Sequence, residues 1–276
     1  MGISATTPLK THQRVHLRRG VVAFHEDGLA TRQAEVDRLQ TSNYYDRIAS
    51  AYDDQVDGFA INRAMRDAFC ARVSALAGSA GRILDFGCGT GTDAAWYAAN
   101  GHLVLAYDIS PGMVDVLRTR CADAIVQGRI APFVGGLSDL EPELRQRGPL
   151  DAIAANFAVL NHVQDLQPLF GILATFLRPG GVLVASLLNP LYKGEMRWRG
   201  WCKRQVLAQR SGVVTFRGDV TTYRPYLSTL RRMAEPHLAL VEVGHVDQDD
   251  HWSSESIGWP EVVRQQFRFV VMQRPA

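Results

Sequence analysis

ILDFGCGTGTDAAWYAANGHLVLAYDISPGM, residues 83–113, sets a turn with three glycines in five positions between two short apolar runs, with an aspartate ending each run. RILDF (82–86) and LVLAYD (103–108) predict strands. DAAWYAAN, closed by Gly101, predicts a helix between them. A second helix is expected at SPGMVDVLRTRC, with Ser110 as its N-cap and Pro111 at its first position. The alternation continues outward: IAPFVGG and LDAIAANF predict strands three and four, LQPLFGILATFL a helix, and GGVLVASLL a fifth strand after the turn RPGG. Short apolar strands separated by helices imply βαβ units and a parallel sheet covered on both faces.

The ends of the chain read differently. SGVVTFRGDVTTY predicts a β-hairpin turning at Gly218-Asp219. The helix LSTLRRMAE follows, then strands at LALVEVGHV and FRFVVMQR separated by a polar loop. A helical pattern starts at NYYDRIASAYDD and continues through INRAMRDAFCARVSALAG until Gly78 and Gly81 stop it. Residues 1–40 are expected to form a loosely ordered basic arm, because Lys10, Arg14, Arg18 and Arg19 precede the first acid, Glu26. Residues 41–276 then form one domain with an insertion at about 190–222.

Three adjacent glycines are unfavourable in regular structure, so something must approach the bare backbone there. In open parallel sheets ligands sit beyond the carboxyl ends of the strands, and the turn into the first helix presents free N–H groups. Asp108, at the end of the second strand, suits the two hydroxyls of a ribose. The stretch therefore binds a nucleoside-containing small molecule. GTGTDA (89–94) fits G-x-G-x-x-A, so an NAD(P)-dependent oxidoreductase is one reading. Asp85 opposes it, since a carboxylate aimed at the turn repels a pyrophosphate and suits an ammonium group.

Asp85-Phe86-Gly87-Cys88-Gly89-Thr90-Gly91 resembles the D-x-G-x-G-x-G motif of class I S-adenosylmethionine-dependent methyltransferases. AYDISPGMVDVLRTR resembles the second-strand motif of the same family. The resemblance, running from about Tyr44 to Arg274, implies a Rossmann-like doubly wound α/β sheet. That sheet is mostly parallel with an antiparallel C-terminal strand, under a helical N-terminal cap. S-adenosyl-L-methionine is the implied cofactor. By the same resemblance Gly87, Cys88, Gly89 and Gly91 pass beneath its methionine portion and Asp85 reaches its ammonium group. Asp108 holds the ribose, while Ile109 and Met113 pack on the adenine unless they are ordinary core residues. The family often has an acid where this chain has Leu137, so Ser138 and Asp139 are the expected adenine contacts. Asn156 and Phe157 end the fourth strand beside the reactive centre. YYDRIASAYDD resembles the family's N-terminal segment, which folds over the cofactor, with Tyr45 near its carboxylate and Tyr52 on the same helix face.

For catalysis the candidates are His162, a base with an unperturbed pKa near neutrality or else a capping histidine, and Tyr52 as a closing group. The chain has neither the [DNS]-P-P-[YFW] tetrad of amino-methylases nor a Pro-Cys nucleophile, and no set of acids suggests a metal. Between Tyr192 and Arg210 six basic residues (Lys193, Arg197, Arg199, Lys203, Arg204, Arg210) face one acid, Glu195, and Trp198 and Trp201 are expected on one helix face. This favours a small-molecule acceptor that is anionic, or linked to a carrier or lipid, with at most peripheral membrane contact through 192–210. A net charge of +2 gives no global attraction to nucleic acid. A non-catalytic S-adenosylmethionine-binding or nucleic-acid-binding module is the reading from another class. The opening MGISATTPLKTHQRVHLRRG lacks an apolar leader, and four scattered cysteines form no CxxC pair, so a cytoplasmic protein is expected.

Overall fold

In the computed structural model the described residues are 20–196, 200–247 and 249–276, with side chains from Gln33 onward. They form α1 (Gly20–Ile48), a 3₁₀ turn at Ala49–Ala51, α2 (Tyr52–Asp57), α3 (Ala60–Ala77), β1 (Arg82–Phe86), α4 (Thr92–Ala99), β2 (Leu103–Asp108), α5 (Pro111–Arg120), α6 (Ala122–Val126), β3 (Ile130–Val134), α7 (Leu137–Arg147), β4 (Leu150–Ala155), a 3₁₀ turn at Val159–His162, α8 (Leu166–Phe176) and β5 (Leu177–Leu188). After a 3₁₀ turn at Lys193–Glu195 come α9 (Trp201–Ser211), β6 (Val213–Arg217), β7 (Thr221–Pro225), α10 (Leu227–Ala234), β8 (Ala239–Val246), β9 (Trp252–Ser253), α11 (Trp259–Val262) and β10 (Phe267–Gln273).

The main sheet runs β3-β2-β1-β4-β5-β10-β8-β9, with β6 and β7 as a separate hairpin. β3, β2, β1, β4 and β5 pair in parallel, and β10 adds antiparallel to β5. The expected doubly wound, mostly parallel sheet with an antiparallel C-terminal strand is therefore present. The strand order reverses between β1 and β4, which places the ligand crevice at the carboxyl end of β1. Alternation along β1 sends Leu84 and Phe86 to one apolar layer and Ile83 to the other, so this central strand is apolar on both faces apart from Asp85.

Several elements differ from the sequence reading. The chain divides into units 1–36 and 37–276. Helix α1 starts at Gly20, inside the expected arm, because 20–40 has no proline and is rich in Ala, Glu, Leu, Arg and Gln, which favour helix. Residues 1–19 lie outside the described residues. Helix α7 has no counterpart in the sequence reading, since Pro142 in its interior argues against a helix. It forms because Asp139 Oδ2 accepts the Gly136 N–H at 2.8 Å and caps its start, while Leu140 and Leu144 are buried. Strand β5 begins at Leu177, earlier than the RPGG turn suggested, and the polar loop 247–261 contains β9 and α11. Helix α9 begins at Trp201, after Gly200 with φ +92°, and the helix face expected to join Trp198 to Trp201 involves a residue outside the described ones. Trp198 itself lies outside the described residues, as do Arg197 and Arg199.

Candidate active site

Strand β1 enters the glycine turn, which is fastened to β2 by N–H groups of Gly87 and Cys88 donating to the Tyr107 carbonyl at 2.8 and 2.9 Å. The three glycines have separate physical reasons. A Cβ on Gly87 would meet the Val159 side chain at 2.5 Å, and one on Gly91 would meet Leu117 at 2.5 Å. At Gly89 the nearest atom is Tyr52 Cε1 at 3.8 Å, so this residue alone of the three faces open space. Cys88 is buried, and burial pushes its thiol up.

Asp108 ends β2 with both carboxylate oxygens anchored: Gly89 N–H donates to Oδ2 and Ser110 N–H to Oδ1, each at 2.9 Å. Burial pushes its pKa up to about 6, against the lowering effect of those backbone bonds. Each oxygen keeps a lone pair for a further donor. Asp85 is buried with Oδ2 lacking any partner. Burial first, and the neighbouring Asp93 carboxylate second, push it well above the usual carboxylate range. An unpaired buried oxygen, a second carboxylate with free lone pairs and an open glycine face suit a ligand bearing an ammonium group and a diol.

Ser110 and Pro111 start α5 as expected, with Met113 N–H donating to Ser110 Oγ at 3.1 Å. Ile109 is half-buried, whereas Met113 is enclosed at 1% exposure. Ser138 is exposed in the first turn of α7, and Asp139 is engaged in capping that helix. Asn156 is bonded within the protein: its amide donates to Asp93 Oδ2 at 2.8 Å, and its carbonyl accepts from Ser186 Oγ and Phe157 N–H at 2.9 Å each. Phe157 (φ +50°) and Ala158 (φ +66°) make a left-handed turn held by Ser186, whose Oγ accepts the Phe157 N–H at 2.6 Å.

The 3₁₀ turn at Ala49–Ala51 separates Tyr45 from Tyr52, so they do not share one continuous helix, yet their rings meet edge-on at 6.1 Å. Tyr45 also lies edge-on to His162, with 5.7 Å between ring centroids. His162 Nδ1 lies 3.3 Å from the Thr221 carbonyl, which only a protonated Nδ1 can satisfy. Nε2 therefore accepts the Tyr45 hydroxyl at 3.1 Å. Burial lowers the His162 pKa, so the ring is neutral at pH 7. Burial raises both tyrosines, and the Asp108 charge adds to each. Gly89, Tyr52, Tyr45 and His162 thus form one continuous wall.

Several residues of this site escaped the sequence reading. Asp46 Oδ1 accepts from Ser110 Oγ at 2.5 Å and Gly112 N–H at 2.8 Å, and Ser42 Oγ donates to the Ile109 carbonyl at 3.1 Å. Asp53 accepts from Thr90 Oγ1 at 2.5 Å and pairs with Arg120, which also donates to the Thr90 carbonyl at 3.0 Å. Residues 42–53 are therefore bonded to both loops that flank Gly89. Beneath them Arg66 joins Asp57 at 2.9 Å and Asp93, with its guanidinium 4.7 Å from the Phe157 ring centroid. The only signal available was acids recurring near the YYD and YDD tyrosines. Among the described residues no cluster of His, Cys, Asp and Glu could hold a metal ion, and no helix is long and apolar enough to cross a membrane.

A parallel sheet, a glycine turn open at Gly89 and carboxylates ending β1 and β2 define a nucleoside-binding α/β protein. The profile of the methyltransferase domain matches residues 59–217, more than half of the chain. The chain belongs to that methyltransferase family. It is 37% identical over 130 residues to the ubiquinone biosynthesis O-methyltransferase of Xanthomonas campestris pv. campestris, covering 47% of this chain and 51% of that protein. To the protein of the same name from Xylella fastidiosa it is 32% identical over 160 residues, covering 57% and 60%. The chain spans about half the length of the curated relatives it matches. Its fold is similar to that of N-methyltransferase NodS from Bradyrhizobium japonicum, solved with S-adenosylhomocysteine. The TM-score is 0.54 at 16% identity, over 86% of this chain and 100% of that one. Magnesium protoporphyrin IX methyltransferase from Synechocystis, with S-adenosylhomocysteine bound, gives 0.53 at 15%, over 85% and 98%.

Proposed function

We propose that the protein transfers a methyl group from S-adenosylmethionine to a hydroxyl oxygen of a small anionic acceptor. The observation that carries this reading is the pair of carboxylates beside the open face of Gly89: Asp108 anchored by backbone with lone pairs to spare, and Asp85 with an unpaired buried oxygen. Asp108 would hold the ribose diol, Asp85 would lie toward the ammonium group, and Ile109 would border the adenine. The cofactor supplies an electrophilic methyl on a sulfonium, with a neutral thioether as leaving group. What remains for the chain is alignment, which is worth up to roughly 7–11 kcal/mol in well-oriented cases, and removal of one proton. His162 suits that proton because it is neutral and hydrogen-bonded through Nδ1, so its Nε2, which accepts the Tyr45 hydroxyl, is available to an acceptor hydroxyl in its place. The oxygen acceptor draws support from the name of the curated relatives.

An anionic, apolar-tailed acceptor is supported by α9, where Lys203 and Arg210 are exposed beside Val206 and Leu207, 62% and 67% exposed. The division into an arm (1–40) and a catalytic domain (41–276) with an acceptor-side insertion at 190–222 is supported by the break between units near residue 36. Four free cysteines, Cys70, Cys88, Cys121 and Cys202, support a reducing, cytoplasmic setting.

Incubation with methyl-labelled S-adenosylmethionine and a lipid-containing cell extract should place label in an extractable, acidic small molecule. Label confined to nucleic acid, or stabilisation by NADH and not by S-adenosylhomocysteine, would overturn the proposal. His162→Asn is expected to lower kcat by roughly 10²–10⁴-fold with S-adenosylhomocysteine affinity unchanged. An equal loss of both would make His162 a packing residue. Acid should act on affinity as well. Asp108 is acceptor-only on both oxygens, and charged, only when ionised, so S-adenosylhomocysteine binding measured by calorimetry should weaken as pH falls through about 6. The sign for stability is the reverse. A raised carboxylate pKa means the folded apo protein takes up a proton before the unfolded chain does, so this group alone stabilises the fold as pH drops from about 6 toward its ordinary value of 3.8.

A further inference from the structure

The β6–β7 hairpin carries a second concentration of chemistry on one of its faces. Val214 pairs with Arg224 and Phe216 with Thr222, so these four side chains share one face, while Thr221 and Tyr223 belong to the other. Helix α9 packs on β6 and turns Trp201, Arg204, Gln205 and Ala208 inward at helical spacing, with Ala208 buried. Gln205 is satisfied, donating to the Pro190 carbonyl at 2.8 Å and accepting from the Tyr226 hydroxyl. The arginines are not. The guanidinium carbon of Arg204 lies 4.5 Å from the Phe216 ring centroid and that of Arg224 lies 3.8 Å from it, so two cations share one aromatic platform.

Arg224 is 6% exposed and donates through Nη1 to Glu195 Oε2 at 2.6 Å. Among the described residues no other carboxylate pairs with either arginine. Nε of Arg224, Nε of Arg204 and Nε1 of Trp201 are all buried without a hydrogen-bond partner. Three orphaned N–H donors in one small layer are unusual, because buried donors are nearly always matched. All three lack an acceptor, and two guanidiniums against one carboxylate leave one positive charge over. A ligand that only accepts and carries one negative charge corrects both. The Nε edge of a guanidinium is the fork that fits carboxylate and phosphate oxygens.

We propose that Trp201, Arg204 and Arg224 form a binding site for a singly charged oxyanion, a carboxylate or a phosphate diester, between α9 and the β6–β7 hairpin. The site uses none of the cofactor-binding residues named above and does not depend on the reading given there. Its occupant also braces β7, whose Tyr223 and Thr221 carbonyls accept from Asn161 Nδ2 at 2.7 Å and from His162 Nδ1.

Side-chain N–H signals of ¹⁵N-labelled protein report on the three donors directly. Titration with acetate and, separately, dimethyl phosphate at ionic strength held constant with chloride should shift the Trp201 indole and both arginine Nε–H signals along one saturating curve. A response to acetate alone identifies a carboxylate site, and a response to dimethyl phosphate alone a phosphodiester site. Arg204→Gln should weaken that curve roughly tenfold or more, and Trp201→Phe assigns the indole signal. Arg224→Gln is the sharper variant, and Arg204→Gln carries the test if burial of Glu195 without its partner unfolds it. No saturating shift with either anion, or the same curve in Arg204→Gln, overturns the proposal. S-adenosylhomocysteine titrated into the same sample reads the cofactor site, so the two sites fail or stand independently.

Discussion

Replacing Asp108 with asparagine is expected to weaken S-adenosylhomocysteine binding by roughly a hundredfold while leaving the apo fold in place. The carboxylate already accepts from Gly89 and Ser110 N–H groups, one on each oxygen, and only a group that accepts everywhere can take two hydroxyls as well. An asparagine amide turns one oxygen into a donor. In either orientation that donor faces a backbone N–H and leaves one acceptor fewer for the ribose hydroxyls, so bonds made to a charged partner are lost. Each such bond contributes about 1.5–3 kcal/mol, so loss of two accounts for the hundredfold at its lower limit. The apo protein tolerates the change because burial holds the Asp108 carboxyl above its usual range, so ionised Asp108 is not a stabilising charge near neutrality. Calorimetry gives the affinity and urea unfolding the stability. Affinity within a factor of about three of the parent, well under 1 kcal/mol, would remove Asp108 from the ligand site.

The second large effect separates two glycines only two positions apart. Gly91→Ala should destabilise the protein by roughly 2–5 kcal/mol, because the new methyl meets buried Leu117 at 2.5 Å on a backbone with φ +84°. Gly89→Ala should be milder, about 1–2 kcal/mol for its left-handed backbone, since the nearest atom to its Cβ is 3.8 Å away. The order reverses for binding. The Gly89 methyl projects into the space left for the ligand and should cut S-adenosylhomocysteine affinity, whereas Gly91→Ala that remains folded should bind nearly normally. Thermal unfolding of the two variants, with and without S-adenosylhomocysteine, measures both quantities. Equal losses of stability would mean that both glycines serve packing alone.

Much of this site was legible in the chain because its signals are local. Asp85 and Asp108 end apolar runs of strand length, and the turn after a strand is where glycines tolerate close approach. Ser110 followed by Pro111 announces a helix start within four residues. Other residues gained partners once the fold was known. Asn156, expected at the strand end beside the reactive centre, is also bonded to Asp93, Ser186 and the N–H of its own neighbour. Asp139, expected at the adenine, also caps α7, a helix that Pro142 made illegible.

Sequence alone determined the order of the strands β1 to β5 with β10 after them, the doubly wound class and the two carboxylates near the ends of β1 and β2. Hydrophobic period, helix caps and glycine turns act over a few residues, and those are written in the chain where they operate. Only the tertiary structure decided which glycine faces the ligand, that Asp46 and Asp53 fasten residues 42–53 across both loops, and that Arg204 and Arg224 meet on Phe216. Those outcomes join residues far apart along the chain. Whether a glycine's missing Cβ admits a ligand or a leucine, and whether an arginine keeps a free N–H, depends on which side chains the fold brings beside it.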